Sequence, residues 1–129
     1  MDISKLDIVA SSNEGAVLEV LHPKTLTKTG IEIILVGTDS DIYNKQRLKA
    51  SNKRLEQLNK TGKLKRTAEE IEEETIEMLV SCTIGWSGIE EDGKPLEFTP
   101  KHVKHVYEKY PWIREQIDQF IGSRDNFLS

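Results

Sequence analysis

Apolar positions along this chain recur with two periods, and the switches between them mark its elements. Residues 16–21 and 31–36 are short β-rich runs, each bounded by polar turn residues, and read as strands. The polar stretch 22–30 joins them, which predicts an antiparallel pair with a long connection. Two strands alone are marginal in water, so helices must cover their apolar face. Residues 1–14 alternate weakly around Ile3, Leu6, Ile8 and Val9 and predict no definite element, while residues 11–15 read as a loop.

After Gly37-Thr38-Asp39-Ser40, whose short oxygen-bearing side chains suit a helix start, the pattern becomes helical. A helix over residues 41–59 has a thin apolar stripe of Ile42, Leu48, Leu55 and Leu58, with Tyr43 beside it, and is therefore mostly exposed. Thr61-Gly62 ends it. Thr67 followed by Glu70 has capping-box spacing and opens a helix over 68–84, with Ile71, Met78, Leu79 and Cys82 near one face and Trp86 closing it. Residues 85–98 form a connection near the upper length for a structureless loop. Its Asp92-Gly93 turn, with Trp86, Ile89, Leu96 and Phe98, predicts a flap that packs over the helices. Thr99-Pro100 and Pro111 start two further helices, over 100–109 and 111–121. The first turns Val103, Val106 and Tyr107 inward; the second carries Ile113, Gln116, Ile117, Phe120 and Ile121 at the clearest helical period in the chain. Phe127 and Leu128 follow as a final core anchor or an exposed apolar tail. The expectation is an α+β, mostly helical single domain over residues 1–129: an N-terminal two-stranded β element in 1–37, packed on about four helices in 38–129.

Composition refines this picture. A chain of 129 residues buries about two-thirds of its unfolded surface, so it needs neither metal nor disulfide to fold. The single Cys82 excludes an internal disulfide and suits a reducing compartment. No signal-peptide pattern and no apolar run approaching the ~20 residues of a membrane span is present, so the expectation is a cytosolic protein without a membrane. Charged residues make up 31% and aromatics 6%, which fits a large solvated face or a domain completed by a partner. The net charge of -4 conceals a segregation: residues 45–66 hold nine Lys and Arg against one Glu, and residues 69–77 hold six Glu and no base. Two helices of a hairpin would pair these blocks with each other. Alternatively the basic face, with Lys49, Lys53, Arg54 and Lys60, stays free for an acidic partner or a neighbouring copy.

Candidate chemistry is thin. His102 and His105 lie three apart with Glu108 three further on, a spacing permissive for a metal but unspecific without a second pair or a nearby cysteine. Glu90, Glu91 and Asp92 read as a solvated turn. Thr61-Gly62-Lys63 lacks the rest of a phosphate loop, with Gln57 in place of the earlier glycine and Leu64 where a hydroxyl would hold magnesium. Cys82, on an apolar helix side, reads as an inert core thiol. No nucleophile, base and orienting group assemble, so the reading is non-enzymatic, without cofactor or metal. Nucleic acid is disfavoured, because the chain is acidic and the basic block has no interleaved aromatics after Tyr43. A small nucleic-acid-binding or regulatory module using residues 45–66 stands as the alternative.

The order of these motifs resembles the tail assembly chaperones of long-tailed bacteriophages. His22-Pro23 to Gly30 and Val36-Gly37-Thr38-Asp39-Ser40-Asp41-Ile42-Tyr43 are similar to that family's strand and aromatic entry into the first helix. Thr83 to Trp86, Gly93, Phe98-Thr99-Pro100, Tyr110-Pro111-Trp112-Ile113, Ile117 and Phe120 to Phe127 are similar to its C-terminal half. The resemblance implies a non-enzymatic protein of the host cell cytoplasm that binds the tape measure protein, recruits tail tube subunits and is absent from the mature virion. It further implies a longer frameshifted form, while a homo-oligomer is the expectation where the basic block meets a neighbouring copy. On this reading Trp86, Trp112, Phe120, Phe127 and Leu128 supply apolar contact area, with Phe127 and Leu128 the most available, and the four basic residues named above supply charge.

Overall fold

The computed structural model describes residues 1–63 and 66–128. Lys65 of the basic block, and Leu64 at the magnesium position of the rejected phosphate loop, lie outside them. The weakly patterned N-terminus is helical: a 3-10 turn at Ile3–Leu6 leads into α1, Ile8–Glu14. Asp7 starts it by accepting the Ala10 N–H at 3.1 Å, and the loop expected at 11–15 shrinks to Gly15, which leaves the helix at a φ of +85°. Local capping therefore succeeds where apolar period is too weak to read.

β1 (Ala16–Leu21) and β2 (Lys28–Leu35) pair antiparallel as expected, with Val17 opposite Ile34 and Leu18 opposite Ile33. Their alternation buries Val20, Ile33 and Leu35 on one face and leaves Val17, Glu19, Glu32 and Ile34 on the other. The sheet, however, has three strands, in the order β1-β2-β3, and β3 is Thr83–Ser87. This corrects both the two-stranded element and the helix expected to run to residue 84 with Trp86 at its end. The helix stops when the Cys82 N–H bonds the Met78 carbonyl at 3.1 Å, and the Cys82 carbonyl then accepts the Val36 N–H at 2.9 Å. From there burial alternates with a strand's period, Thr83 in and Ile84 out. Thr83 and Ile84 are β-branched, and Gly85 inside a helix would cost about 1 kcal/mol. Opposite Ile34 the same glycine instead makes room, since a Cβ there would stand 3.3 Å from Ile34 Cδ1.

Between β2 and β3 the chain makes a hairpin of α2 (Asp41–Thr61) and α3 (Ala68–Ser81). Ser40 caps α2 by accepting the Tyr43 N–H at 3.1 Å, and Gly62, at a φ of +68°, ends it. Thr67 caps α3 through the Glu70 N–H. After β3 the connection packs as a flap: β4 (Glu90–Glu91) and β5 (Lys94–Pro95) form a small hairpin whose turn residues Asp92 and Gly93 both have positive φ, as a type I′ turn requires. Ile89 is buried beneath it, the Trp86 Nε1–H donates to the Leu96 carbonyl at 3.1 Å, and Trp86 meets Phe98 edge-on at 5.5 Å. α4 (Pro100–Lys109), capped by Thr99, and α5 (Pro111–Gly122) complete the fold. One cluster of buried side chains joins Val20, Ile33 and Leu35 to Leu79 of α3, Val103 and Tyr107 of α4, and Ile113, Ile117 and Ile121 of α5. α2 contributes no buried residue.

Candidate interaction surface

The long helix α2 is tied down at its start and only loosely along its length. At its start Asp41 and Asn13 exchange two hydrogen bonds of 2.8 Å, which fasten it to α1. Tyr43, Arg47, Ala50 and Arg54, spaced four, three and four apart, line a groove of about 330 Å³ with Ile71, Met78, Leu79 and Ile121. That line faces the body of the protein. At about 100° per residue, Leu48, Leu55 and Leu58 fall to one side of it and Lys49, Lys53 and Lys60 to the other. The leucines are 47%, 54% and 40% exposed, so the apolar stripe of α2 faces water.

Charge on the hairpin is only partly compensated. Arg54, at 3.4 Å, and Arg66 both reach the carboxylate of Glu74. Glu72 pairs with Arg114 at 2.9 Å, and Glu73 lies 3.9 Å from Lys104. Among the described residues, Lys45, Lys49, Lys53 and Lys60 have no carboxylate within 4.0 Å, and Glu69, Glu70 and Glu77 have no cation within that distance. Among the described residues the two blocks thus meet at one carboxylate, Glu74.

The expected apolar contact residues divide between two other clusters. Trp86 is half-buried under the flap with Phe98. Phe120 is half-buried and meets Phe127 edge-on at 5.6 Å, and Trp112 packs against the core. Phe127 is 8% exposed and serves as a core anchor, contrary to the expectation that it would be available. Its ring fills the space that a side chain at Gly37 would occupy, 2.9 Å from an ideal Cβ there. The segment that carries it is latched by Arg124, which donates two hydrogen bonds of 2.8 Å to Asp39, and by the Asn126 amide on the Phe120 carbonyl at 2.9 Å. Leu128 remains exposed.

His102 and His105 do not converge. The first contacts the Glu97 carbonyl at 2.7 Å and the second the Glu91 carboxylate at 3.0 Å. Among the described residues no group of three His, Cys, Asp or Glu side chains is placed to hold a metal ion. Glu91 is not a solvated turn residue: it accepts the Tyr110 hydroxyl at 2.6 Å as well as His105, and Lys109 Nζ lies 3.7 Å away. The Tyr110 hydrogen bond first, then His105, holds its carboxyl below the ordinary glutamate range. The spacing of His105 and Lys109 on α4 and Tyr110 at its C-terminal cap was the available signal for this cluster. Burial pushes the Cys82 thiol up to about 11, far from a reactive thiolate. Gln116, expected within the apolar stripe of α5, accepts the Leu21 N–H at 2.8 Å and donates to the Leu21 carbonyl at 2.9 Å, so it clamps the edge of β1.

These elements define a small α+β protein in which a three-stranded antiparallel sheet and the helices α3, α4 and α5 share a core, with the cationic helix α2 laid across the outside and the short α1 fastened to its start. Among the described residues no helix is long and apolar enough to cross a membrane. Comparison with family models, curated proteins and solved structures finds no match for the chain.

Proposed function

We propose that this protein is a non-enzymatic tail assembly chaperone of a long-tailed bacteriophage. It binds the tape measure protein in the host cell cytoplasm, helps to recruit tail tube subunits, and does not enter the mature virion. The resemblance in sequence supplies the partner. The observation that carries the reading is the exposed Leu48, Leu55 and Leu58 stripe on a helix without a buried residue. A tape measure protein presents long apolar helical stripes, and a helix with leucines seven and three residues apart is able to lie against one by knobs-into-holes packing. Lysines on the far side of α2 keep such a complex soluble. Trp112, Phe120 and Leu128 are secondary apolar contacts.

The experiment is co-expression with the candidate tape measure protein. The wild-type protein is expected to hold it in the soluble fraction and to co-purify with it, and Leu48→Glu/Leu55→Glu is expected to lose both. Because these leucines are exposed, the variant's melting temperature should stay close to wild type. A variant that still solubilises and retains the tape measure protein would remove the stripe from the binding surface.

A further inference from the structure

On the side of the α2–α3 hairpin away from α5, Lys53 and Gln57 of α2 and Glu70, Glu73 and Glu77 of α3 line a shallow groove together with Arg54, Arg66 and Glu74, which pair with one another. The glutamates are three and four residues apart and form one exposed stripe on α3; Lys49, Lys53 and Lys60, four and seven apart, form another on α2. The stripes run side by side, yet Lys53 and Glu77 line one groove without an ion pair within 4.0 Å. Among the described residues, one face of the molecule therefore carries a positive rail, Lys49, Lys53 and Lys60, and a negative one, Glu70 and Glu77, without an ion pair within 4.0 Å, while Glu73 between the two glutamates lies 3.9 Å from Lys104.

We infer that this face pairs two copies of the chain. A half-turn about an axis along the hairpin lays each lysine rail over the other copy's glutamate rail. It does so twice, so the contact is isologous and closes as a dimer. The adjacent rails also select the occupant. A polyanion such as nucleic acid, or a uniformly acidic protein, that docks on the lysines meets the glutamates beside them, and like charges in juxtaposition oppose it. Only a surface with the inverse pair of rails satisfies both, and the chain itself supplies one. A face about 20 Å long and about two helix diameters wide buries on the order of 800 Å² in total, which places the dimer at the weak, salt-sensitive end. The inference goes beyond the chaperone reading and does not use the leucine stripe, so either can fail alone.

Sedimentation velocity at about 20 mM and about 500 mM salt tests it. Wild type should be dimeric at low salt and monomeric at high salt. Lys49→Glu/Lys53→Glu and Glu70→Lys/Glu77→Lys should each be monomeric at low salt with unchanged helical circular dichroism. An equimolar mixture of the two should recover a dimer, at least about tenfold tighter than either variant with itself. If a charge reversal impairs folding, Lys49→Gln/Lys53→Gln and Glu70→Gln/Glu77→Gln should each still weaken the dimer. A wild-type monomer at low salt, dimers that withstand the substitutions, or a mixture of folded reversal variants that stays monomeric would overturn the inference.

Discussion

Single side chains resolve two ambiguities that a hydrophobic pattern leaves. Gln116 sits at a core position of the α5 stripe, and pattern alone counts it among the apolar neighbours. Its amide answers both backbone groups of Leu21, so its polarity is what the half-buried edge of β1 requires. Gln116→Leu should leave an N–H and a carbonyl without partners and cost about 1–3 kcal/mol in urea unfolding. Glu91 is the second case: a run of three acids reads as a solvated turn because its partners lie on α4 and at its C-terminal cap, more than a dozen residues away in the chain. Its folded-state carboxyl titrates below the ordinary range, so the stability it contributes is present above that range and lost as pH falls through the depressed value. Glu91→Gln should therefore flatten the loss of stability between about pH 6 and about pH 3, read as urea midpoints across that window. Superimposable acid limbs for the two proteins would show that the cluster contributes nothing.

Helices with caps were legible as elements: Ser40, Thr67 and Thr99 each accept the amide proton that their position in the sequence assigns to them. The switch into β3 was not, because residues 79–84 satisfy a helical stripe until the chain meets the open edge of β2, and that edge is a tertiary fact. The C-terminal segment follows the same logic. Nothing local distinguishes an aromatic anchor from an exposed tail; the slot over Gly37, made 90 residues earlier in the chain, decides it for Phe127. Truncation after Ser123, which on the tail reading would spare the fold, should instead remove the buried Phe127 and cost about 3 kcal/mol, the lower end for a buried Phe→Ala change. Thermal melts of the truncated and full chains check this. An unchanged midpoint would return Phe127 to the surface.

Across the whole molecule, the α+β class and the mostly exposed character of α2 could be read from composition and period, while the three-stranded sheet could not. Strands adjacent in the sheet are separated by the entire α2–α3 hairpin, and no short-range pattern reports a pairing at that distance. The direction in which α2 turns its leucines was equally hidden. A thin stripe ordinarily faces the core, but Tyr43 and Ala50 occupy that side with Arg47 and Arg54 and leave the leucines to water.

The hydrogen bond from the Val36 N–H to the Cys82 carbonyl places the exit from β2 beside the entrance to β3. Everything between is a detour that returns to its origin; its second leg, α3, is woven into the core, whereas α2 reaches it only through the half-buried Tyr43. Such an arrangement makes α2 a detachable module. α3 has 14 residues and spans about 21 Å, so a flexible linker of about ten residues reaches from Asp41 to Thr67 without strain. A chain with residues 42–66 replaced by such a linker should still melt cooperatively, at a lower midpoint because the groove over Ile71 and Met78 opens. The same position should accept a foreign helix of comparable length, so that a new binding specificity can be installed on an unaltered scaffold.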